Sequence, residues 1–250
     1  MNRVTYIAVL CSIISSILSG CTDDDAVIEE KENLLMSLVS KYPLKKDNVI
    51  ACAASDALEK DKVYVYFYPR EGVTNIRYYE TPDTSYNKNE YSHYREVKTD
   101  QSDVFNGYLK RFERETTKEK WVIVSFMEQD TLHISNPIRL KHQSTPTTYT
   151  DAIQIEVTSS SMPVFSWPQF ENEDNKIFFQ VVSDRENNLL SGTYTFDTHF
   201  QYYNTDNVVL NITRELPPPE LLPSMSYSIT LMGVSEDNWV NLFAQNRFTP

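Results

Sequence analysis

The residues of this 250-residue chain that could do acid–base or covalent chemistry are four histidines, three cysteines and 35 carboxylates. His93, His133, His142 and His199 are scattered, and no two stand at the i, i+4 or short-loop spacing of a zinc site. Five glycines leave no room for a glycine-rich phosphate cradle, and neither G-x-S-x-G nor H-E-x-x-H occurs. The acidic stretch Glu171-Asn172-Glu173-Asp174-Asn175 lacks the alternating ligands and central glycine of a calcium loop, so it reads as a solvated turn. No spacing brings two carboxylates to the roughly 5–10 Å separation used in glycoside hydrolysis, although a noncontiguous pair leaves a hydrolase open as an alternative. No catalytic residue, metal-ligand set or cofactor is therefore expected. The thiols differ among themselves. Cys52 sits in the apolar run Val49–Ala54 and reads as a buried small hydrophobe, whereas Cys21 directly follows Leu18, Ser19 and Gly20 at the end of a hydrophobic leader.

That leader starts with Met1-Asn2-Arg3 and is apolar from Val4 to Leu18. About 20 mainly apolar residues are needed to span a bilayer, and this run is shorter and diluted by Ser12, Ser15 and Ser16, so a cleaved signal peptide over 1–20 is the expectation. Leu18-Ser19-Gly20-Cys21 resembles the lipobox of bacterial lipoproteins. The resemblance implies cleavage before Cys21 and a diacylglyceryl (and palmitate-type) anchor on its sulfur, which two buried acyl chains make stable. Asp23, Asp24 and Asp25 resemble the surface-export signal of some Gram-negative lipoproteins, and Thr22 differs from the aspartate of inner-membrane retention. The expected location is the outer membrane, on its outer face.

After the anchor, residues 21–45 read as a tether, with Ile28, Leu34, Leu35, Leu38 and Val39 suggesting a short amphipathic helix that Pro43 closes. Strands are expected at Val49–Ala54, Lys62–Tyr68, Asn75–Thr81, Val104–Glu113, Trp121–Met127 and Thr131–Leu140, with an irregular connection over Pro82–Asp103 and a turn at Glu128-Gln129-Asp130. Within Lys62–Tyr68, Val63, Val65 and Phe67 alternate with Tyr64, Tyr66 and Tyr68, the period of a sheet strand. Short strands, frequent turns and no intervening helical pattern argue for an all-β protein of two antiparallel sandwiches. The polar stretch KHQSTPTTYT places a linker at 143–152 between an immunoglobulin-like sandwich over 46–142 and a second over 153–250.

The second sandwich carries a more specific pattern. Leu221, Pro223 and Tyr227 have the L-x-P-x-x-x-Y spacing that resembles the tyrosine corner of fibronectin type III domains, and Trp167 stands where their core tryptophan would be. The resemblance implies that the tyrosine hydroxyl bonds upstream backbone. Pro217-Pro218-Pro219 before the corner departs from the usual pattern.

A formal charge of −12 repels phosphate backbones, so nucleic acid is not an expected partner. Once Cys11 leaves with the leader and Cys21 carries lipid, Cys52 has no partner for a disulfide. The remaining candidates for recognition are tyrosines of the irregular connection, Tyr86, Tyr91 and Tyr94, since loops on such scaffolds carry binding and tyrosine offers an apolar face with a polar tip. The expected function is a non-catalytic binding or spacer module held to the membrane through Cys21, with a protein or glycan ligand. The sharper alternative is a glycan-binding accessory of a polysaccharide-uptake system, similar to starch-utilisation surface lipoproteins, and it requires coplanar exposed rings.

Overall fold

The computed structural model describes residues 33–157, 161–169 and 174–250. The expected leader, Cys21 with Leu18, Ser19 and Gly20, the run Asp23-Asp24-Asp25, and Glu171 to Glu173 lie outside those residues. The first described element is helix α1, Leu35–Lys41. No side chain caps its N-terminus; instead the Leu35 N–H donates to the Tyr94 carbonyl at 3.0 Å, and Leu35, Leu38 and Val39 pack beneath it. So short a helix is held by that apolar face, not by its own hydrogen bonds.

The first sandwich uses β1 (Leu44–Val49), β2 (Ala51–Ser55), β3 (Lys62–Phe67), β4 (Thr74–Glu80), β5 (Arg95–Glu96), β6 (Gln101–Val104), β7 (Leu109–Glu115), β8 (Trp121–Glu128), β9 (Thr131–Ser135) and β10 (Ile138–Arg139). Its first sheet has the order β1-β9-β8-β4-β5, with β10 also paired to β8, and its second the order β2-β3-β7-β6. β1 and β2 are one stretch of chain that leaves the first sheet at Ile50 and joins the second. Two expected strands are interrupted. Val104–Glu113 is broken by Phe105, Asn106 and Gly107, all at positive φ, where Asn-Gly turns the chain into the β6–β7 hairpin. Thr131–Leu140 is broken at Asn136-Pro137, between β9 and β10.

The second sandwich uses β11 (Thr148–Thr150), β12 (Gln154–Glu156), β13 (Val164–Ser166), β14 (Ile177–Asp184), β15 (Leu189–Thr195), β16 (His199–Gln201), β17 (Val208–Asn211), β18 (Tyr227–Val234) and β19 (Val240–Phe248). Its large sheet runs β11-β19-β18-β14-β15-β17 and its small sheet β12-β13-β16. Pairing is antiparallel except where β1 meets β9 and β11 meets β19. The protein is all-β, built as β-sandwiches.

The two sandwiches are stacked. Val63, Val65 and Phe67 of β3 face their own core, opposite Val122, Val124 and Phe126 of β8. The alternate residues Tyr64 and Tyr66 point the other way, where they meet Phe179, Val181, Met232 and Val234 of the large sheet of the second sandwich. A third core lies inside the second sandwich around Phe165, Trp167, Phe178 and Phe200. Four sheets thus succeed one another with apolar packing between each pair, and α1 covers the outermost face over Tyr79, Ile123 and Leu132. Asn33–Pro250 is accordingly one compact unit.

The stretch expected as a linker is packed into this stack. Ser55 and Thr147 exchange hydrogen bonds, N–H to Oγ1 and N–H to Oγ, each 2.9 Å. Thr148–Thr150 pairs with β19, and His142 is fully buried. The turn between β18 and β19 reaches the other way. Trp239, fully buried, joins the core of the first sandwich, donates its indole N–H to the Thr145 carbonyl at 2.8 Å, and follows Asn238, whose carbonyl accepts from Ala53 N–H at 3.0 Å.

Candidate functional site

The outer layer of the first sandwich is made by α1, β1, the start of β8 and the connection carrying Tyr86, Tyr91 and Tyr94. These three tyrosines do not act alike. Tyr94 is fully buried and its hydroxyl donates to the Lys88 carbonyl at 2.7 Å, with burial pushing its phenol well above the usual range. It is the internal anchor of the loop, and its face is closed to a ligand. Tyr91 leans on Tyr94 at 6.5 Å with rings 56° apart, and Tyr86 leans on His93 at 4.7 Å and 52°. Such tilted, mutually packed rings are not the coplanar platform on which a sugar would stack, which counts against the glycan reading.

The exposed part of the layer pairs aromatics with cations instead. Lys41 lies 5.3 Å from the Tyr42 ring, Lys46 5.3 Å from Tyr91 and Lys88 5.3 Å from Trp121, whose other neighbour is Arg139 at 6.0 Å. Trp121 is fixed by an indole N–H bond to the Thr84 carbonyl at 3.3 Å. Lys41, Lys45, Lys46 and Lys88 are all exposed, and none forms an ion pair among the described residues. The carboxylates nearby are mostly occupied: Glu96 bonds Arg77 at 2.7 Å, Asp83 accepts from Ser85, and Glu90 lies 3.4 Å from His93. Asp47 is exposed beside Lys46. Nothing in the order of residues announced this lysine–aromatic pairing, because the partners come from segments as distant as Lys46 and Tyr91.

Groups with chemical potential elsewhere are tied up. Burial would raise the Glu80 carboxyl, but hydrogen bonds from Arg114 and Lys120 outweigh it and hold Glu80 below the usual carboxylate range. An ionised, doubly paired carboxylate is a poor general acid. A crevice of about 290 Å³ between the sandwiches is lined by Cys52, Tyr66, Tyr68, Phe179, Tyr194 and Leu210. Burial pushes the Cys52 thiol up to about 12, so it stays protonated at neutral pH. Among the described residues no group of three His, Cys, Asp or Glu side chains is placed to hold a metal, and no helix is long and apolar enough to cross a membrane.

In the second sandwich, Trp167 is 4% exposed and packs against Phe178 at 5.3 Å, and Leu221 lies in the same core. The Tyr227 hydroxyl accepts from the Leu222 N–H at 2.9 Å, five residues upstream and across Pro223. This is a tyrosine corner in geometry as well as spacing. Tyr227→Phe removes that acceptor while keeping the ring, and is expected to lower stability by about 1–2 kcal/mol. Urea denaturation of the variant checks it; an unchanged midpoint would mean that the corner bond is replaced by water at no cost.

The fold and these residues define a β-sandwich protein whose second half is fibronectin type III-like. No family model matches the chain, and no curated protein matches it. Among solved structures, it is similar to a two fibronectin type-III domain segment from chicken tenascin, at 8% identity over 82% of this chain and 98% of that one, TM-score 0.32. It is also similar to the FN1–FN3 domains of chicken CNTN1, at 12% identity over 83% of this chain and 68% of that one, TM-score 0.28.

Proposed function

We propose that the chain is a lipid-anchored, non-catalytic binding or spacer module of a bacterial outer membrane, held through a diacylated Cys21 and exposed at the cell surface. The observation that carries this reading is the lipobox-like Leu18-Ser19-Gly20-Cys21 at the end of a leader too short to span a bilayer. The acidic run Asp23-Asp24-Asp25 supports export to the outer face. The docked sandwiches support the role of a body of fixed shape: a module tethered by acyl chains can present the same surface at a constant height only if its two halves do not swing.

Cys21→Ala is expected to abolish incorporation of a fatty-acid analogue and to move the protein out of the membrane fraction. Undiminished labelling of the variant would overturn the anchor, and the location inferred from it.

A further inference from the structure

Charge is divided unevenly along the chain. Residues 33–142 hold 17 Lys and Arg against 16 Asp and Glu, whereas residues 143–250 hold four against thirteen. In the first sandwich the exposed lysines 41, 46 and 88 share the outer layer with Tyr42, Tyr91 and Trp121, whereas Lys45, paired in register with His133, faces the other side of the sheet. Half-buried aromatics with lysines beside them are the composition of a surface that meets lipid headgroups, since the rings suit the boundary and the ammonium groups meet phosphate. The chain also enters the stack on this layer: the Asn33 carbonyl accepts from Glu96 N–H at 2.8 Å, next to the strand bridge between Leu34 and Arg95. Asn33 is twelve positions after Cys21, so the chain can extend no more than about 40 Å between them.

From the entry point, the charge division and the lysine–aromatic pairing, we infer that this layer of α1, β1 and the Tyr86–Arg95 connection docks on the anionic headgroups of the membrane that carries the anchor. The second sandwich, with its excess of nine carboxylates, is repelled and directed away. Lys41, Lys46 and Lys88 supply the attraction; Glu90 lies in the same connection, 3.4 Å from His93, and the chain between Cys21 and Asn33 carries six Asp and Glu against one Lys, which the docked lysines must outweigh. The inference rests on the lipid-anchor reading for its choice of occupant, and it adds orientation to what would otherwise be a freely swinging body.

The test reconstitutes the lipidated protein into vesicles of phosphatidylcholine alone or with about one third phosphatidylglycerol, and follows backbone hydrogen exchange. Docking predicts slower exchange over Lys41–Val49 and Tyr86–Arg95 in the anionic vesicles only, reversed by about 0.5 M salt, with β14 and β18 unchanged in both. Lys41→Glu with Lys46→Glu and Lys88→Glu should remove the protection and weaken binding of anchor-free Cys21→Ala protein to anionic vesicles by tenfold or more. Unchanged exchange in β14 and β18 of this variant shows that it is folded. Equal exchange in the two vesicle types overturns the docking, while flotation with phosphatidylcholine vesicles would still report the anchor. Protection of the same segments by a soluble acidic polysaccharide without vesicles, or by self-association seen in light scattering, also overturns it and reassigns the face to that occupant.

Discussion

Replacing Trp239 with alanine is expected to lower stability by about 3–5 kcal/mol, the range for deleting a large buried aromatic. The loss should be felt in the sandwich to which Trp239 does not belong by sequence. Its ring fills the core lined by Val49, Val65, Phe126 and Leu140, while its backbone sits between β18 and β19. Asp237, two residues earlier, binds Lys141 at 2.8 Å and accepts the Arg139 N–H at 3.0 Å, so the whole turn is wedged into the first sandwich. Alanine leaves a cavity there and strands the Thr145 carbonyl. Trp239→Phe keeps most of the volume and loses the indole hydrogen bond, so it should cost about 1–2 kcal/mol plus any repacking. Urea unfolding followed at Trp121 and Trp167, one in each half, checks both the size and the coupling. Coincident transitions, shifted together in Trp239→Ala, are expected. A loss under about 1 kcal/mol, or a shift at Trp167 alone, would mean that the wedge does not bind the halves together.

The same turn shows what the sequence made legible. Glu236-Asp237-Asn238 reads as a turn, and Asn238 does take positive φ. Trp239, however, reads as the first residue of the next strand, because a period of two says which side of a sheet a residue faces and nothing about which other part of the chain lies on that side. The tyrosines of β3 show the limit again. Alternation of Val63, Val65 and Phe67 with Tyr64, Tyr66 and Tyr68 sorts the two faces correctly, but tyrosine suits water and packing alike, so a second sandwich covering that face left no mark. The polar composition of 143–152 misled for a related reason. Its Thr147 hydroxyl alone accepts from the Ser55 N–H and donates to the Val240 carbonyl inside an interface, where polarity is usually taken for exposure. The corner was readable because Leu221, Pro223 and Tyr227 act locally, within one turn of chain. The candidate site was readable only as a loop rich in tyrosine; that Tyr94 would be its anchor depends on α1 closing over it, a contact between residues some sixty apart.

Glu80 is the second position at which a large effect is expected. Its carboxylate is 6% exposed at the end of β4 and is held by Arg114 at 3.1 and 3.2 Å, by Lys120, and by the Tyr78 hydroxyl at 3.2 Å. Removing it leaves two cations facing a site built for an anion. Breaking a buried pair by deleting one partner costs about 3–5 kcal/mol, and because the Arg114 side chain is 29% exposed and can recover some hydration, about 2–3 kcal/mol is expected for Glu80→Ala. Glu80→Gln keeps the shape and gives the pH test. The folded-state pKa of Glu80 lies below its unfolded value, so its contribution is fully present above the unfolded carboxylate range, near 4.5, and is lost as pH falls through the folded pKa. The stability gap between the native protein and Glu80→Gln should therefore be widest at neutral pH and close progressively below about 4.5. Asp56, also lowered by backbone N–H groups of Glu59 and Leu58, is present in both proteins and drops out of the difference. Denaturant midpoints of the two proteins between pH 3 and 7 check this. Parallel curves would mean that Arg114 and Lys120 find other partners and that the cluster contributes no charge-dependent stability.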